Sequence, residues 1–373
     1  MDRRVTSSCS VVAGALVALG LLLVATAHAT PVSQKRVAVN TDWCAAGVGG
    51  VGGGSGTIDL NCVTGTVTRA FLYWHGINNS GSGAVYDNPM VGINDNVVTG
   101  TSLGDATTNC WGAGSSRAFE ADVTAFVTGN GAYRITGLSA VAGHNANGVS
   151  LVVLFDDGDT SNNRDLVFFT GNDSNNPESF PGEDPGWHAA LPGINYGGGL
   201  VAAQAHLADG QSFTDGPLTF STVNGAQGIA DDAMLYDGIS VPSAGTSRAS
   251  NGSLWDIHSF DISPAFGGVP GDVTLNVDGL ENTVDCLGLV VLMLDLEALS
   301  APNECDIDLD GDVDRADVVA FAKACRAGTR TDCDRNGDGQ FGLADVVVFA
   351  RGCLGMASSA AEDLARKVMN SLS

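Results

Sequence analysis

The chain has 373 residues, of which 42 are acidic and 17 are basic, so its formal net charge is -25. A negative surface of this kind repels phosphate backbones, which excludes nucleic acid from the expected partners. Glycine contributes 50 residues and charged residues only 16%, a composition that favours short strands and turns over long surface helices.

The N-terminus predicts export from the cell. A short basic start precedes an apolar run over residues 11–27, and Ala27-His28-Ala29 matches the small-x-small pattern of signal-peptidase sites. An uncleaved anchor is the alternative, but an apolar run of 17 residues is marginal for crossing a bilayer. We therefore expect a signal peptide over residues 1–29, a secreted or cell-surface protein, and no membrane span after removal of the signal.

Residues 30–299 predict a β-rich extracellular domain. Short apolar or alternating segments, such as residues 67–74, 148–155 and 286–294, are separated by clusters of Gly, Asn, Asp and Ser. Strands of this length and spacing are typical of an antiparallel sandwich or jelly roll. The length leaves open whether one sandwich or two packed together fill this part.

The same part resembles an uncharacterised family. It contains, in order, the segments TRAFLYWHG, FEADVTAFVTGNGAYRITG, NGVSLVVLFDDGDTSNNRDLVFFTG and SLWDIHSFDIS, which span most of residues 65–299. These segments are similar to a domain found near the start of bacterial and archaeal surface proteins. The resemblance implies surface display and little chemistry.

Two acidic segments of the β-rich part are candidates for chemistry. Asp156, Asp157 and Asp159 follow an apolar strand, which indicates a hairpin turn; the alternative is a carboxylate pair for glycoside hydrolysis. The second segment contains the acidic residues Asp173, Glu178, Glu183 and Asp184. It predicts a long surface loop. The alternative is that this loop holds an ion or a sugar, with Trp187 as the candidate sugar-stacking ring.

The other features of this part do not indicate catalysis. Residues 47–52 satisfy G-x-G-x-x-G but follow Cys44 rather than a strand, so a flexible glycine-rich loop is expected instead of a nucleotide site. Trp74 and Trp255 lie in strand-like segments and are expected in the core. The histidines lack metal-ligand spacing and are expected to be polar loop or strand residues; they are His75, His144, His188, His206 and His258.

The C-terminal part contains a repeat with a period of 28 residues. Residues 305–325 read CDIDLDGDVDRADVVAFAKAC, and residues 333–353 read CDRNGDGQFGLADVVVFARGC. Counted from Asp306 and from Asp334, each copy has Asp or Asn at positions 1, 3 and 5, Gly at 6 and Asp at 12. Apolar residues at helical spacing follow position 12 in both copies.

This spacing is typical of a calcium-binding loop. Side chains at positions 1, 3 and 5 converge on one point, the glycine allows a sharp turn, and a carbonyl at 7 and a carboxylate at 12 complete an oxygen shell that suits Ca2+ rather than zinc or copper. Polar turns without an ion are the alternative. We expect two Ca2+ ions, one held by Asp306, Asp308, Asp310, the carbonyl of Asp312 and Asp317, and the other by Asp334, Asn336, Asp338, the carbonyl of Gln340 and Asp345.

Duplicated 12-residue calcium loops, each followed by one helix and with no helix leading in, resemble dockerin modules over residues 305–355. The resemblance implies a module that binds a cohesin-like protein and brings extracellular proteins, often polysaccharide-degrading enzymes, into larger assemblies. Positions 10 and 11 of each loop help to select the partner in that family. Here these positions hold Arg315, Ala316, Leu343 and Ala344 instead of the frequent Ser-Thr pair, so another surface partner is the alternative to a cohesin.

Eight cysteines remain after the signal peptide, and an even number in an exported chain predicts disulfides. They are Cys44, Cys62, Cys110, Cys286, Cys305, Cys325, Cys333 and Cys353. Two symmetric pairings are open for the last four. The pairing of Cys305 with Cys353 and of Cys325 with Cys333 is favoured because it would clasp the ends of the module; the other joins Cys305 to Cys325 and Cys333 to Cys353.

The sequence therefore predicts a mainly β chain with a small α-helical C-terminal module. The module covers residues 305–355, after a linker at 300–304 and before a tail at 356–373, which we expect to be a short helix or a frayed end without a role. The leading hypothesis is an exported, non-catalytic calcium-binding protein that docks to a protein partner. The alternative is a glycoside hydrolase recruited to a polysaccharide-degrading assembly by its dockerin-like module.

Overall fold

The computed structural model describes residues 29–78, 86–106, 115–140, 144–175, 186–229, 236–246, 252–280, 286–298, 305–308, 313–330 and 332–372. Residues 1–28, most of the predicted signal peptide, lie outside this description. The strands are β1 (Thr30–Val51), β2 (Ser55–Leu60), β3 (Thr66–Asn78), β4 (Met90–Ile93), β5 (Asn96–Thr99), β6 (Thr101–Ala106), β7 (Ser115–Asp122), β8 (Gly131–Thr136), β9 (His144–Asp156), β10 (Arg164–Ser174), β11 (Trp187–Tyr196), β12 (Val201–Ala208), β13 (Leu218–Thr222), β14 (Gly225–Ile229), β15 (Ser243–Thr246), β16 (Trp255–Asp261), β17 (Gly271–Gly279) and β18 (Gly288–Glu297). The helices are α1 (Ser263–Phe266), α2 (Arg315–Ala327), α3 (Leu343–Leu354) and α4 (Ser358–Ser371), with a 3-10 helix at Thr124–Phe126.

The predicted β-rich, antiparallel fold is confirmed. The largest sheet has the order β16-β12-β18-β10-β1-β9-β3-β7-β6, and two four-stranded sheets have the orders β11-β17-β13-β14 and β2-β8-β4-β5. In the described residues every strand pairing is antiparallel except that of β1 with β15. Among the described helices, none combines the length and the apolar character that crossing a bilayer needs.

Strand β1 divides the largest sheet into two wings. Its first half, residues 30–41, pairs with β10, and its second half, residues 42–49, pairs with β9. Side chains from both wings belong to one buried cluster, in which Phe71 of β3 meets Phe168 of β10 with ring centroids 6.3 Å apart. The wings therefore pack face to face, with an apolar core between them.

Each four-stranded sheet covers the outer face of one wing. Alternate residues of the wing strands point outward, so Leu72 and Trp74 of β3 join a second cluster with Ile135 of β8. On the other wing, Phe169 of β10 joins a third cluster with Leu275 of β17. The β-rich part is thus four layers deep, which makes it two sandwiches packed through their wings.

The two sandwiches repeat one topology. The order β1-β9-β3-β7 with an outer sheet β2-β8-β4-β5 has the same connectivity as β10-β18-β12-β16 with an outer sheet β11-β17-β13-β14. A local structure also repeats after β7 and β16, where the Asp122 carboxylate accepts from the Thr124 backbone N–H and the Asp261 carboxylate accepts from the Ser263 backbone N–H, both at 2.9 Å. A short helical turn follows in each case.

Residues 47–52 are not the flexible loop that their glycines predict. Residues 47–51 belong to β1, and Gly49 pairs with Gly148 of β9. A Cβ atom on Gly49 would lie 2.3 Å from the Ser253 carbonyl oxygen. Glycine is therefore needed there because another segment of backbone approaches closely.

Two buried histidines lie on the inner faces of the wings. The imidazole Nδ1 of His206 is 2.8 Å from the Ser150 hydroxyl, and Nδ1 of His75 is 3.0 Å from the Asn147 amide oxygen. Burial lowers the pKa of His75 to about 4 and that of His206 to about 3. Both side chains are therefore neutral in the folded protein at neutral pH, whereas an unfolded chain protonates them near pH 6.5.

The β-rich part should lose stability as the pH falls below about 6.5, because the unfolded state then binds protons that the folded state does not. Between pH 7 and pH 4.5, we expect the free energy of unfolding of the His206→Gln variant to fall by about 2 kcal/mol less than that of the unmodified chain. Denaturant unfolding at both pH values, followed by tryptophan fluorescence, measures the effect, since all five tryptophans precede residue 300.

The matched control is His188→Gln, because His188 lies at the surface, 2.8 Å from the Asp278 carboxylate. An equal loss of stability in the His206→Gln variant and in the unmodified chain would contradict the role of this buried imidazole.

Candidate metal centre

The C-terminal helices form their own apolar core. The Phe321 and Phe349 rings, which are equivalent in the two repeats, stack with centroids 4.2 Å apart and planes 3° apart. The buried side chains around them come from all three helices and are Val318, Ala322, Cys325, Val346, Ala350, Ala361, Ala365 and Val368. The repeats therefore pack on each other through matching faces, and α4 completes the core, so the tail is a packed helix and not a frayed end.

Two disulfides fix the ends of these helices. Cys305 is bonded to Cys353, and Cys325 is bonded to Cys333. This is the pairing that clasps the first residue of one repeat to the last residue of the other. In the β-rich part Cys44 is bonded to Cys62 and Cys286 is also disulfide-bonded, while Cys110 lies outside the described residues.

Loop 1, residues 306–317, brings three carboxylates together. Asp306, Asp308 and Asp317 each offer an oxygen atom, and these atoms lie within 4.8 Å of one another. Asp306 and Asp317 are buried, while Asp308 is exposed. The predicted ligands Asp310 and Asp312 lie outside the described residues. Among the described residues, loop 1 thus supplies positions 1, 3 and 12 of the predicted oxygen shell.

The carboxylate of Asp317 closes loop 1 by binding its backbone at both ends. Its Oδ1 accepts from the Ile307 N–H at 2.6 Å and from the Asp308 N–H at 3.4 Å, and its Oδ2 accepts from the Asp314 N–H at 2.7 Å. The Asp314 side chain accepts in turn from the Ala316 N–H and caps α2. Position 12 therefore both belongs to the acidic cluster and sets the shape of the loop.

Loop 2, residues 334–345, repeats these contacts at equivalent positions. Asp345 Oδ1 accepts from the Arg335 N–H at 2.8 Å and the Asn336 N–H at 3.1 Å, and its Oδ2 accepts from the Gly342 N–H at 2.7 Å. The buried Asp345 thus closes loop 2 as Asp317 closes loop 1.

The first half of loop 2 winds around its own side chains. The Asp334 carboxylate accepts from the Asp338 N–H at 2.9 Å and the Gly339 N–H at 2.7 Å, and the Asn336 amide oxygen accepts from the Asp338 N–H at 2.8 Å. The Asp338 carboxylate accepts from the Gln340 N–H at 2.9 Å. Gly339, at position 6, has a φ of 84°, which is the left-handed turn that its place in the motif requires.

The two loops differ in charge. Loop 1 contains six aspartates and Arg315, and loop 2 contains three aspartates and Arg335. The Arg335 guanidinium lies 5.7 Å from the Phe321 ring centroid and is paired with Asp332 at 2.7 Å. Because the affinity and selectivity of calcium loops depend on ligand charge, loop 1 is expected to be the tighter site and the one most destabilised without an ion.

Burial raises the pKa of Asp317 to about 6, with the neighbouring Asp308 carboxylate adding to the rise and the backbone N–H donors opposing it. The charged form of this side chain is therefore disfavoured unless a cation compensates it. All the described donors in both loops are oxygens, which fit a hard ion such as Ca2+.

The predicted partner-contact residues lie at the start of the two helices. Arg315, Ala316 and Ala344 are exposed, and Leu343 is half-buried. They lie at the ends of loops 1 and 2, because each pair directly precedes a position-12 aspartate. Leu343 also packs against the core of the C-terminal helices.

Among the described residues, the acidic candidates of the β-rich part do not form a comparable site. The turn between β9 and β10 contains Asp157 and Asp159, whose carboxylates accept from the Asp159 and Ser161 backbone N–H groups at 2.8 and 3.0 Å. The bond from the Asp159 N–H lowers the pKa of Asp157, and bonds from Ser161 lower the pKa of Asp159. A glycosidase acid needs a raised pKa, so these groups fit the predicted turn better than hydrolysis.

Trp187 is not an exposed sugar-stacking ring. Its side chain is only 1% exposed and belongs to the core between β10, β11 and β17. Of the acidic residues near it in sequence, Asp173 is buried in β10, and Glu178, Glu183 and Asp184 lie outside the described residues. Trp74 and Trp255 are fully buried, as expected for core residues.

No protein-family model matches the chain, and no curated protein matches it significantly.

Replacing one position-12 aspartate should abolish one calcium site and spare the other. Asp317→Asn and Asp345→Asn keep the shape of the side chain but remove its charge, so we expect each to reduce stoichiometry from two ions to one, with affinity at the altered loop more than about tenfold weaker. Calorimetric titration of the chain from residue 30 onward measures both quantities. Asp363→Asn, an exposed change on α4, is the control and should bind two ions; unchanged binding in both loop variants would contradict the assignment.

Calcium affinity at loop 1 should fall with pH, because the ion competes with the proton on Asp317. The Asp345→Asn variant isolates loop 1, and we expect its calcium affinity to be about tenfold lower at pH 5 than at pH 7. Titration at both pH values in the same ionic strength provides the measurement. Equal affinities would show that Asp317 does not bind the ion as a carboxylate.

Proposed function

We propose that this protein is an exported, non-catalytic calcium-binding protein whose C-terminal module docks to a protein partner, either cohesin-like or another surface protein. The observation that carries the proposal is the close approach of the Asp306, Asp308 and Asp317 carboxylates inside a loop that is repeated at residues 334–345. Two carboxylates about 4 Å apart near a protein surface repel by about 4 kcal/mol. Such a cluster is stable when a divalent cation neutralises it.

The proposed role of calcium is to hold the two helix starts in one arrangement. Each position-12 carboxylate binds backbone N–H groups at both ends of its loop, and the predicted partner-contact residues come directly before it. An ion on these carboxylates would therefore order Arg315 and Ala316 in one repeat and Leu343 and Ala344 in the other. The β-rich sandwiches would serve display or ligand binding outside the cell.

Calcium-dependent capture of one defined protein tests this proposal. The chain from residue 30 onward is immobilised and exposed to the secreted fraction of its source cells, with calcium or with a chelator, and retained proteins are identified by mass spectrometry. We expect a partner that is retained with calcium only, and that the Asp317→Asn/Asp345→Asn double variant does not retain. The Asp363→Asn variant is the control and should retain it.

Retention of the same protein by the double variant or in chelator would contradict calcium-dependent docking. Incubation of the same chain with a panel of polysaccharides tests the non-catalytic part, and release of soluble sugar would contradict it.

A further inference from the structure

The first half of β1 presents an edge of its wing. Residues 30–41 pair with β10 on one side, and the described residues include no strand that pairs with their other side. Backbone groups on an open edge bind other segments of chain unless they are covered. The Val37 carbonyl oxygen is such a group, and it is covered by the C-terminal module.

The contact comes from calcium loop 1. The backbone N–H of Val313 donates to the Val37 carbonyl at 3.0 Å, and Val313 is only 4% exposed. Val313 is position 8 of its loop. The equivalent residue of loop 2, Phe341, packs instead within the module, where its ring meets the Phe321 ring at 6.1 Å. Loop 1 is thus specialised for contact with the β-rich part.

In the described part of the junction, this hydrogen bond has a cavity beside it. A cavity of about 560 Å3 lies between the two parts, lined on the β side by Lys35 and Asp165 among others and on the module side by Asp314, Arg315 and Met356. A tight, apolar interface would hold the module permanently. Among the described residues, a single backbone hydrogen bond beside a cavity of this size indicates a contact that depends on the shape of loop 1.

The shape of loop 1 depends on Asp317. This carboxylate binds the N–H of Asp314, the residue that follows Val313, and it lies in the cluster with Asp306 and Asp308. An ion that neutralises the cluster therefore fixes the peptide next to the Val313 N–H. Without the ion, repulsion between the carboxylates would weaken this arrangement and the fixed position of that donor.

We propose that calcium in loop 1 docks the module onto the β1 edge of its own chain, and that loss of calcium releases it. The inference rests on the proposed function, since it requires calcium binding by loop 1. Because the module is tethered to β18, a small contact suffices for docking, as the tether raises the effective concentration of one part near the other. Arg315 lines the same junction, so docking also controls how an outside protein reaches the first repeat.

Small-angle X-ray scattering of the chain from residue 30 onward tests this docking. With calcium we expect a compact particle with a radius of gyration of about 20 Å, and with chelator an increase of about 2 Å or more. Val313→Lys places a charge in the buried contact without changing a predicted side-chain ligand, and we expect it to be extended even with calcium. Val348→Lys, the same change at a site that is 39% exposed on α3, is the control and should stay compact.

Calcium titration of the same samples separates the two proposals. If the unmodified chain takes up no calcium, the proposed function fails. If it takes up two ions but its dimensions are the same with calcium and with chelator, or if Val313→Lys binds two ions and remains compact, only the docking inference is overturned. Should Val313→Lys bind fewer ions, the unmodified chain with and without calcium decides the question alone.

Discussion

Repulsion between the carboxylates of Asp306, Asp308 and Asp317 is the constraint on which the C-terminal module depends. Their oxygen atoms share a space less than 5 Å across, and several repulsions of about 4 kcal/mol would rival the ~5–15 kcal/mol that stabilises a whole domain. Backbone N–H donors around Asp317 offset part of this cost. A divalent ion would remove the remainder, so the proposed calcium sites follow from the same contacts that shape the loop.

Duplication organises the chain at two scales. The β-rich part repeats one sandwich topology around β1, and the C-terminal module repeats one loop and helix around the Phe321–Phe349 stack. In each case a repeated unit buries its apolar face against its copy. The two parts meet where Val313 of the first loop binds Val37 of β1, so the strand that joins the wings also receives the module.

The close approach of Asp306, Asp308 and Asp317 could be predicted from the sequence because these residues lie within twelve positions and their spacing alone places them together. The four-layer arrangement could not, because the equivalent strands share little more than the turns that begin at Asp122 and Asp261. The need for glycine at position 49 in strand β1 comes from the approach of the Ser253 carbonyl, a contact that no local sequence pattern contains. In contrast, the apolar spacing of α4 was visible in the sequence, and its packing on α2 and α3 was predictable from it.

Anomalous X-ray scattering from crystals of the chain grown with calcium tests the central claim most directly. We expect two peaks, one about 2.3–2.6 Å from carboxylate oxygens of Asp306, Asp308 and Asp317, and the other at the same distance from side-chain oxygens of Asp334 and Asp345. The absence of a peak at both loops would contradict the claim that they bind calcium, provided that the crystals are grown with calcium well above micromolar concentration.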